Sequence, residues 1–371
     1  MPYSLSLALA ALAVTLLATP LVMALARRQG ALDLPGPRRI HREPVPTMGG
    51  LALAAAVLGL AWAARALPGP ARDLDPRPLL GLTLAAIPML ALGVVDDTRG
   101  AGPWAKLGVQ ACAALVLVHF GYGVPVITNP FGAPFASGAL SAPLTVAWVL
   151  VVVNAINLID GLDGLASGAV LIASAALWWT ARTHADFYVM FIASLLIGAT
   201  LGFLRYNFPP ARVFMGDTGS HFLGLTLAAV SLLENRKGTA AVTLLFPIVA
   251  MGVPIADGVL AFVRRLLSGR HVFRADSEHV HHRLLRLGLS PRGALLVLWG
   301  LCLVFGGAAV VLAALPRRPA VLLVLALAAA LFAAFEALER VGRSRNGASA
   351  PDRPGSGRPP GGARGDPPGG S

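Results

Sequence analysis

PLTVAWVLVVVNAINLIDGLDGL, residues 143–165, decides the fold. From Pro143 to Val153 it is apolar but for Thr145, and then Asn154, Asn157, Asp160 and Asp163 follow at every third position. An apolar stretch over 143–159 is long enough to cross a hydrocarbon core as a helix. Asn154, Asn157 and Asp160 would share one face at its end. Asp160 and Asp163 each precede a glycine, where a helix breaks and backbone can come close to a ligand. The segment therefore reads as a membrane helix that ends in a polar site. Helix capping followed by a turn is the plainer alternative.

The rest of the chain has the same character. Of 371 residues, 56% are hydrophobic and 13% are charged, with a mean hydropathy of +0.71. Soluble proteins carry about 25% charged residues, so this chain cannot cover itself with polar groups, and a soluble globular enzyme is excluded. Spans are expected at 4–26, 49–66, 78–95, 104–121, 143–159, 165–181, 186–204, 219–233, 239–262, 294–315 and 319–338. The expected fold is an all-α integral membrane protein of about eleven transmembrane helices with active-site loops on the cytoplasmic side. Residues 1–341 would form one polytopic domain. Residues 342–371, dominated by Gly and Pro, would be a disordered cytoplasmic tail.

The first span lacks a basic flank before it, and Arg27 and Arg28 follow it, so it reads as an uncleaved helix with its N-terminus outside. Alternating from there, Lys and Arg favour the inner side by nearly three to one. The net charge of +12 is then topology and contact with anionic lipid, and nucleic acid is not expected as a partner. Cys112 and Cys302 lie in apolar blocks and form neither a CxxC nor a disulfide framework.

A carboxylate in such a chain is costly unless paired, solvated or metal-bound. Most of them gather at the inner boundary, among them Asp96, Asp97, Asp160, Asp163 and Asp217. Adjacent Asp96 and Asp97 need a compensating cation, which Lys106 could supply; a solvated helix end is the alternative. Phe214-Met-Gly-Asp217-Thr-Gly-Ser220 precedes a helix, so free N–H groups lie beside a carboxylate, a setting that suits phosphate and its metal. The bland alternative is an N-cap by Asp217 or Thr218. The loop bearing His279, His281, His282 and Arg283 can grip phosphate oxygens. An interfacial basic helix is compatible with that role, whereas zinc lacks a thiol and a suitable ligand spacing. The segment from Asp33 to Gly50, taken alone, is a juxtamembrane basic loop.

In one order the chain carries HREPVPTMGG, GVVDDTRG with WAKL, NAINLIDGLDGLASG, YNFPPARVFMGDTGSHFLG and ADSEHVHHRLLRLGLS. From about Asp33 to Ser290 it resembles the polyprenyl-phosphate N-acetylhexosamine-1-phosphate transferases, glycosyltransferase family 4. The resemblance implies a bacterial inner-membrane enzyme that moves a sugar-1-phosphate from a UDP-N-acetylhexosamine to undecaprenyl or a similar polyprenyl phosphate and releases UMP. It implies Mg2+, with Mn2+ as a substitute, and a cytoplasmic site; a homodimer is compatible with it. The HVHHR stretch resembles the branch that uses UDP-GlcNAc for a surface polysaccharide or wall polymer. The muramoyl-pentapeptide branch of peptidoglycan synthesis is the alternative. By motif position, Asp217 is implied as a metal ligand, with Asn157 near or on the metal. Asp96, Asp97 and Lys106 join Asp217 as catalytic residues. Asn154, Asp160, Asp163, Phe214, His279, His281, His282 and Arg283 are implied at the substrates, with Asp160 and Phe214 at the uridine end.

The chemistry fits such a reaction. Both substrates are anions, so neutralising and positioning them is the main task. A phosphate monoester has a second pKa of about 6, so the acceptor is mostly a dianion at neutral pH and a general base adds little. Asp96 and Asp97 are expected to organise metal and lysine rather than to take a proton; a two-step route through an aspartyl-phosphate stays open. A transporter would place carboxylates near mid-membrane with access from two sides. A prenyltransferase would leave MGDTGS and HVHHR unexplained.

Overall fold

The computed structural model describes residues 2–35, 43–127, 135–234, 252, 255–256 and 280–348. The helices are α1 (Pro2–Gln29), α2 (Gly50–Ala54), which runs through a π turn (Ala55–Gly59) into α3 (Leu60–Ala66), α4 (Pro76–Arg99), α5 (Pro103–His119), α6 (Ser141–Ile159), α7 (Leu165–Thr183), α8 (Phe187–Asn207), α9 (Gly216–Glu234), α10 (Val280–Arg286), α11 (Pro291–Ala314) and α12 (Arg317–Ala348). Two short antiparallel pairs, Leu32–Asp33 with Val45–Pro46 and Val126–Ile127 with Phe135–Ala136, are the sheet among the described residues. The all-α membrane architecture is thus as expected. Every expected span coincides with a helix except 239–262, which lies almost entirely outside the described residues.

Among the described residues, six helices are long and apolar enough to cross a membrane: Pro2–Gln29, Pro76–Arg99, Gly138–Ile159, Leu165–Thr183, Phe187–Asn207 and Pro291–Ala314, with two shorter apolar helices, Gly50–Ala66 and Arg318–Ala334. The count of eleven is not reached by this measure, for physical reasons. The α5 helix has 17 residues, and α9 opens with Asp217, Thr218, Ser220 and His221 before its apolar part. Helix α12 continues to Ala348, past the expected boundary at 341, and residues 349–371 lie outside the described residues.

Helix α9 is the axis of the bundle. It packs against α2, α4, α6, α7 and α8, and its residues are buried on every side from Thr218 to Leu233, with Thr226 and Ser231 the polar side chains of its apolar part from Phe222 onward. Trp148 of α6 donates to Ser231 Oγ of α9 at 3.0 Å. Helix α1 buries Leu7, Ala11, Thr15 and Thr19, one residue per turn, against α8. There a Cβ on Gly198 would come within 1.9 Å of the Ala8 carbonyl, and one on Gly202 within 2.7 Å of the Leu12 carbonyl. Small residues four apart let two membrane helices approach this closely. Tyr206 then donates to the Leu16 carbonyl at 3.0 Å. The same packing device recurs at the start of α9.

Candidate active site

Three helix ends meet at the start of α9. The last turn of α4 brings Asp96 and Asp97, the first turn of α5 brings Lys106, and the last turn of α6 brings Asn157. Gly93 allows this, because a Cβ there would lie 2.3 Å from Thr218 Cα. Gly216 has φ +68 and its Cβ would lie 2.3 Å from the Asp97 carboxylate, so a side chain is excluded by conformation and by space.

Asp97 caps α9 from another helix. Its Oδ1 accepts from the Asp217 N–H at 2.8 Å, and its Oδ2 accepts from the Thr218 N–H at 3.3 Å and the Thr218 hydroxyl at 2.6 Å. These are N–H groups that a helix start leaves without intrahelical partners. The alternative of an N-cap by Asp217 or Thr218 is not what the structure has: the capping carboxylate arrives from α4, and Asp217 is left to meet Lys106 and Asn157.

Asp217 engages both of its oxygens. Oδ1 accepts from Asn157 Nδ2 at 2.9 Å, and Oδ2 meets Lys106 Nζ at 2.5 Å. Lys106 Nζ also donates to Asp96 Oδ2 at 2.8 Å, while Asp96 Oδ1 accepts from the Ala101 N–H at 2.6 Å. One ammonium thus bridges two carboxylates. Asn157 Nδ2 reaches Ser220 Oγ at 2.9 Å, and His221 Nε2 stands 3.7 Å from Asp217 Oδ2. The Lys106 and Asp217 side chains keep 25% and 21% of their surface exposed, so an anion can reach them.

Asp160 lies just past the end of α6. Burial, and then the charges of Asp217, Asp97 and Asp163, hold its carboxyl well above the usual range. Excess negative charge around one lysine is the electrostatic demand that a cation meets. Among the described residues no three His, Cys, Asp or Glu side chains form a metal cage. Magnesium does not need one, since it keeps waters and takes one or two carboxylates. The oxygens that face the seat of the ammonium, Asp96 Oδ2 and Asp217 Oδ2, are the hard donors it prefers, so the two carboxylates fit the ion, while Asn157 turns its Nδ2 to Asp217 and Ser220.

Other expected residues fall elsewhere. Asn154, one turn before Asn157, gives its amide to Gln110 Oε1 and to the Leu150 carbonyl, both at 2.8 Å, and ties α6 to α5. Asp163 accepts from the Ala211 N–H at 2.9 Å and fastens the loop between α8 and α9. Phe214 donates its N–H to the Pro46 carbonyl at 2.9 Å, and its carbonyl accepts from Gly49 N at 3.0 Å. The segment 45–50 is thereby joined to the α9 loop, so a stretch that read as a plain basic loop holds the site from one side. On α10, Arg283 is buried and His282 half-buried. The side chain of His281 and the whole of His279 lie outside the described residues.

Sequence reasoning missed Ser220, His221, Gln110 and Asn207, and weighed Thr218 only as a cap of its own helix. Asn207 Oδ1 accepts from Gly164 N–H at 3.1 Å and Ser167 Oγ at 2.7 Å, and its Nδ2 donates to the Val213 carbonyl at 3.0 Å. It pins the starts of α7 and the α9 loop to the end of α8. The signal available was a polar side chain at the end of an apolar helix. His221 and Gln110 are polar residues in apolar surroundings and carried the same mark.

The profile of glycosyl transferase family 4 matches residues 79–235. The chain is 36% identical, over 80% of its length and 81% of the relative, to a probable undecaprenyl-phosphate N-acetylglucosaminyl 1-phosphate transferase of Bacillus subtilis. It is 37% identical, over 81% and 80%, to a decaprenyl-phosphate N-acetylglucosaminephosphotransferase of Mycobacterium tuberculosis. To a phospho-N-acetylmuramoyl-pentapeptide-transferase of Desulforudis audaxviator it is 33% identical, over 72% and 84%.

Proposed function

The chain belongs to glycosyl transferase family 4, and from that premise we propose that it transfers N-acetylglucosamine-1-phosphate from UDP-GlcNAc to a polyprenyl phosphate. UMP leaves, and a lipid-linked pyrophosphoryl sugar forms. The observation that carries this reading is the Lys106 ammonium held between Asp96 and Asp217, beside Asn157, at converging helix ends. The relatives with the greater identity are named as GlcNAc-phosphate transferases, and the muramoyl-pentapeptide enzyme matches less well.

Asp217 and Asn157 would hold Mg2+, or Mn2+ in its place. When bound, such an ion would act as a Lewis acid and offset the charge that builds on the leaving UMP. The chain's own residues do the rest by position. Asp97 fixes the first turn of α9 and so aims Asp217. Lys106 offers an ammonium to phosphate oxygens. Asp160 and Phe214 serve the uridine end of the donor, and His279, His281, His282 and Arg283 bind the remaining negative charge. Among the described residues the hydrogen bonds of Asp97 all go to the first turn of α9, which suits a positioning role better than proton transfer. The acceptor phosphate, with a second pKa of about 6, is mostly ready to attack without a base.

The acceptor's tail stays in lipid, so its phosphate moves in the headgroup plane, where a site at helix ends can meet it. We place that plane at the cytoplasmic face of a bacterial inner membrane, with the N-terminus outside, on the distribution of basic residues. The test is UMP release by purified protein supplied with Mg2+, undecaprenyl phosphate and a panel of UDP-sugars. Release with UDP-GlcNAc is expected. Use of UDP-muramoyl-pentapeptide instead would contradict the choice of branch.

A further inference from the structure

Asp217 is the group on which a divalent ion should sit, yet its Oδ2 already carries a cation. Lys106 Nζ lies 2.5 Å from that oxygen and 2.8 Å from Asp96 Oδ2. The other oxygen, Oδ1, is taken by Asn157 Nδ2 at 2.9 Å. An ion seated between Asp217 and Asp96 and the lysine ammonium would be two cations competing for the same carboxylate oxygens, and like charges at that range repel strongly. One of them must yield.

The structure shows which one can move. His221, the second basic side chain near Oδ2, is 1% exposed and fixed within α9. Asn157 is held by both Asp217 and Ser220. Lys106 stands in the first turn of α5, its side chain 25% exposed on a flexible four-carbon stem. It can leave Asp217 without any helix moving, and the nearest use for its charge is an anion entering the site.

We infer that Lys106 is an exchangeable cation: it holds the Asp96–Asp217 pair until a divalent ion takes its place, and it then transfers its ammonium to a phosphate of the nucleotide sugar. This rests on the reading that the ion binds Asp217. Two consequences follow. The lysine weakens metal binding when no nucleotide is present. Metal and nucleotide strengthen each other's binding, by the same factor in each direction.

The experiment is Mn2+ binding to the full-length protein in lipid nanodiscs, read from the loss of the free-ion electron paramagnetic resonance signal, with no substrate and then with UDP. Lys106→Met should bind Mn2+ about tenfold or more tightly than the unaltered protein without UDP, the size expected for a charge-assisted hydrogen bond removed from a ligand. Lys106→Arg, which keeps the charge, should bind no better than the unaltered protein. Arg99→Gln removes an exposed positive charge in the last turn of α4 and should change affinity less than twofold, separating exchange from a general change of field. UDP should tighten Mn2+ binding to the unaltered protein by a larger factor than to Lys106→Met. Unchanged or weaker Mn2+ binding by Lys106→Met, in protein that elutes as a single species, would overturn the inference; Lys106→Gln repeats the test should the methionine variant misfold. If Asp217→Asn leaves Mn2+ binding intact, the metal assignment itself fails, which is a different outcome from failure of the exchange.

Discussion

Asp186 and Asp97 do the same job at two helix starts, with different consequences. Asp186 caps its own helix, accepting from Tyr188 N at 3.1 Å and Val189 N at 3.2 Å. Asp97 caps a helix that begins more than a hundred residues later, accepting from Asp217 N and Thr218 N and from the Thr218 hydroxyl. A local cap steadies one helix. A cap borrowed from another helix also fixes where the two helices meet, and at α9 that meeting point carries the Asp217 carboxylate that meets Lys106 and Asn157.

The comparison can be broken most forcefully at Asp217 itself. Asp217→Asn keeps the shape and removes the charge that faces Lys106, and UMP release should fall by about 10³-fold. Asp97→Asn should follow, with a loss of about a hundredfold, the size typical when a group that orients a ligand is changed. Measured from pH 6 to 9, that loss should stay constant, because the carboxylate positions α9; a defect that vanishes at high pH would show instead that Asp97 takes a proton from the acceptor. Gly93→Val pushes a side chain into the backbone at Thr218 and should lower turnover about tenfold by displacing α9. Gly59→Ala, with open space around it, should leave turnover unchanged. Of the two caps the local one should matter less: Asp186→Ala should cost about 1 kcal/mol of stability, seen as a lower Tm, with turnover retained.

The difference between the two caps also explains what could be read from the sequence. Local features were legible. Apolar blocks gave the helices, whereas the caps Asp75 and Ser290, just before Pro76 and Pro291 at the starts of α4 and α11, went unread although they are local signals too. The motif residues Asp96, Asp97, Lys106, Asn157 and Asp217 do come together. What joins them was not legible, because it depends on contacts between distant segments. Nothing around Asp97 announces that its partners are the N–H groups of Asp217 and Thr218. Asn154 and Asn157 share a face, yet α5 divides them by presenting Gln110 to one and Lys106 to the other's partner. The stretch Val45–Gly50 gave no reason to expect that it would bond to Phe214 and Met215. Glycines were equally mute: Gly93, Gly198 and Gly202 matter through the helix that lies against them.

We propose that a divalent ion held by Asp217 brings two anions together at these helix ends. The most direct test is UMP release from UDP-GlcNAc by purified protein with undecaprenyl phosphate, before chelation, after exhaustive chelation and after adding back Mg2+. The account predicts release that needs the lipid phosphate, stops on chelation and returns with Mg2+. Full turnover in the chelated protein would contradict it.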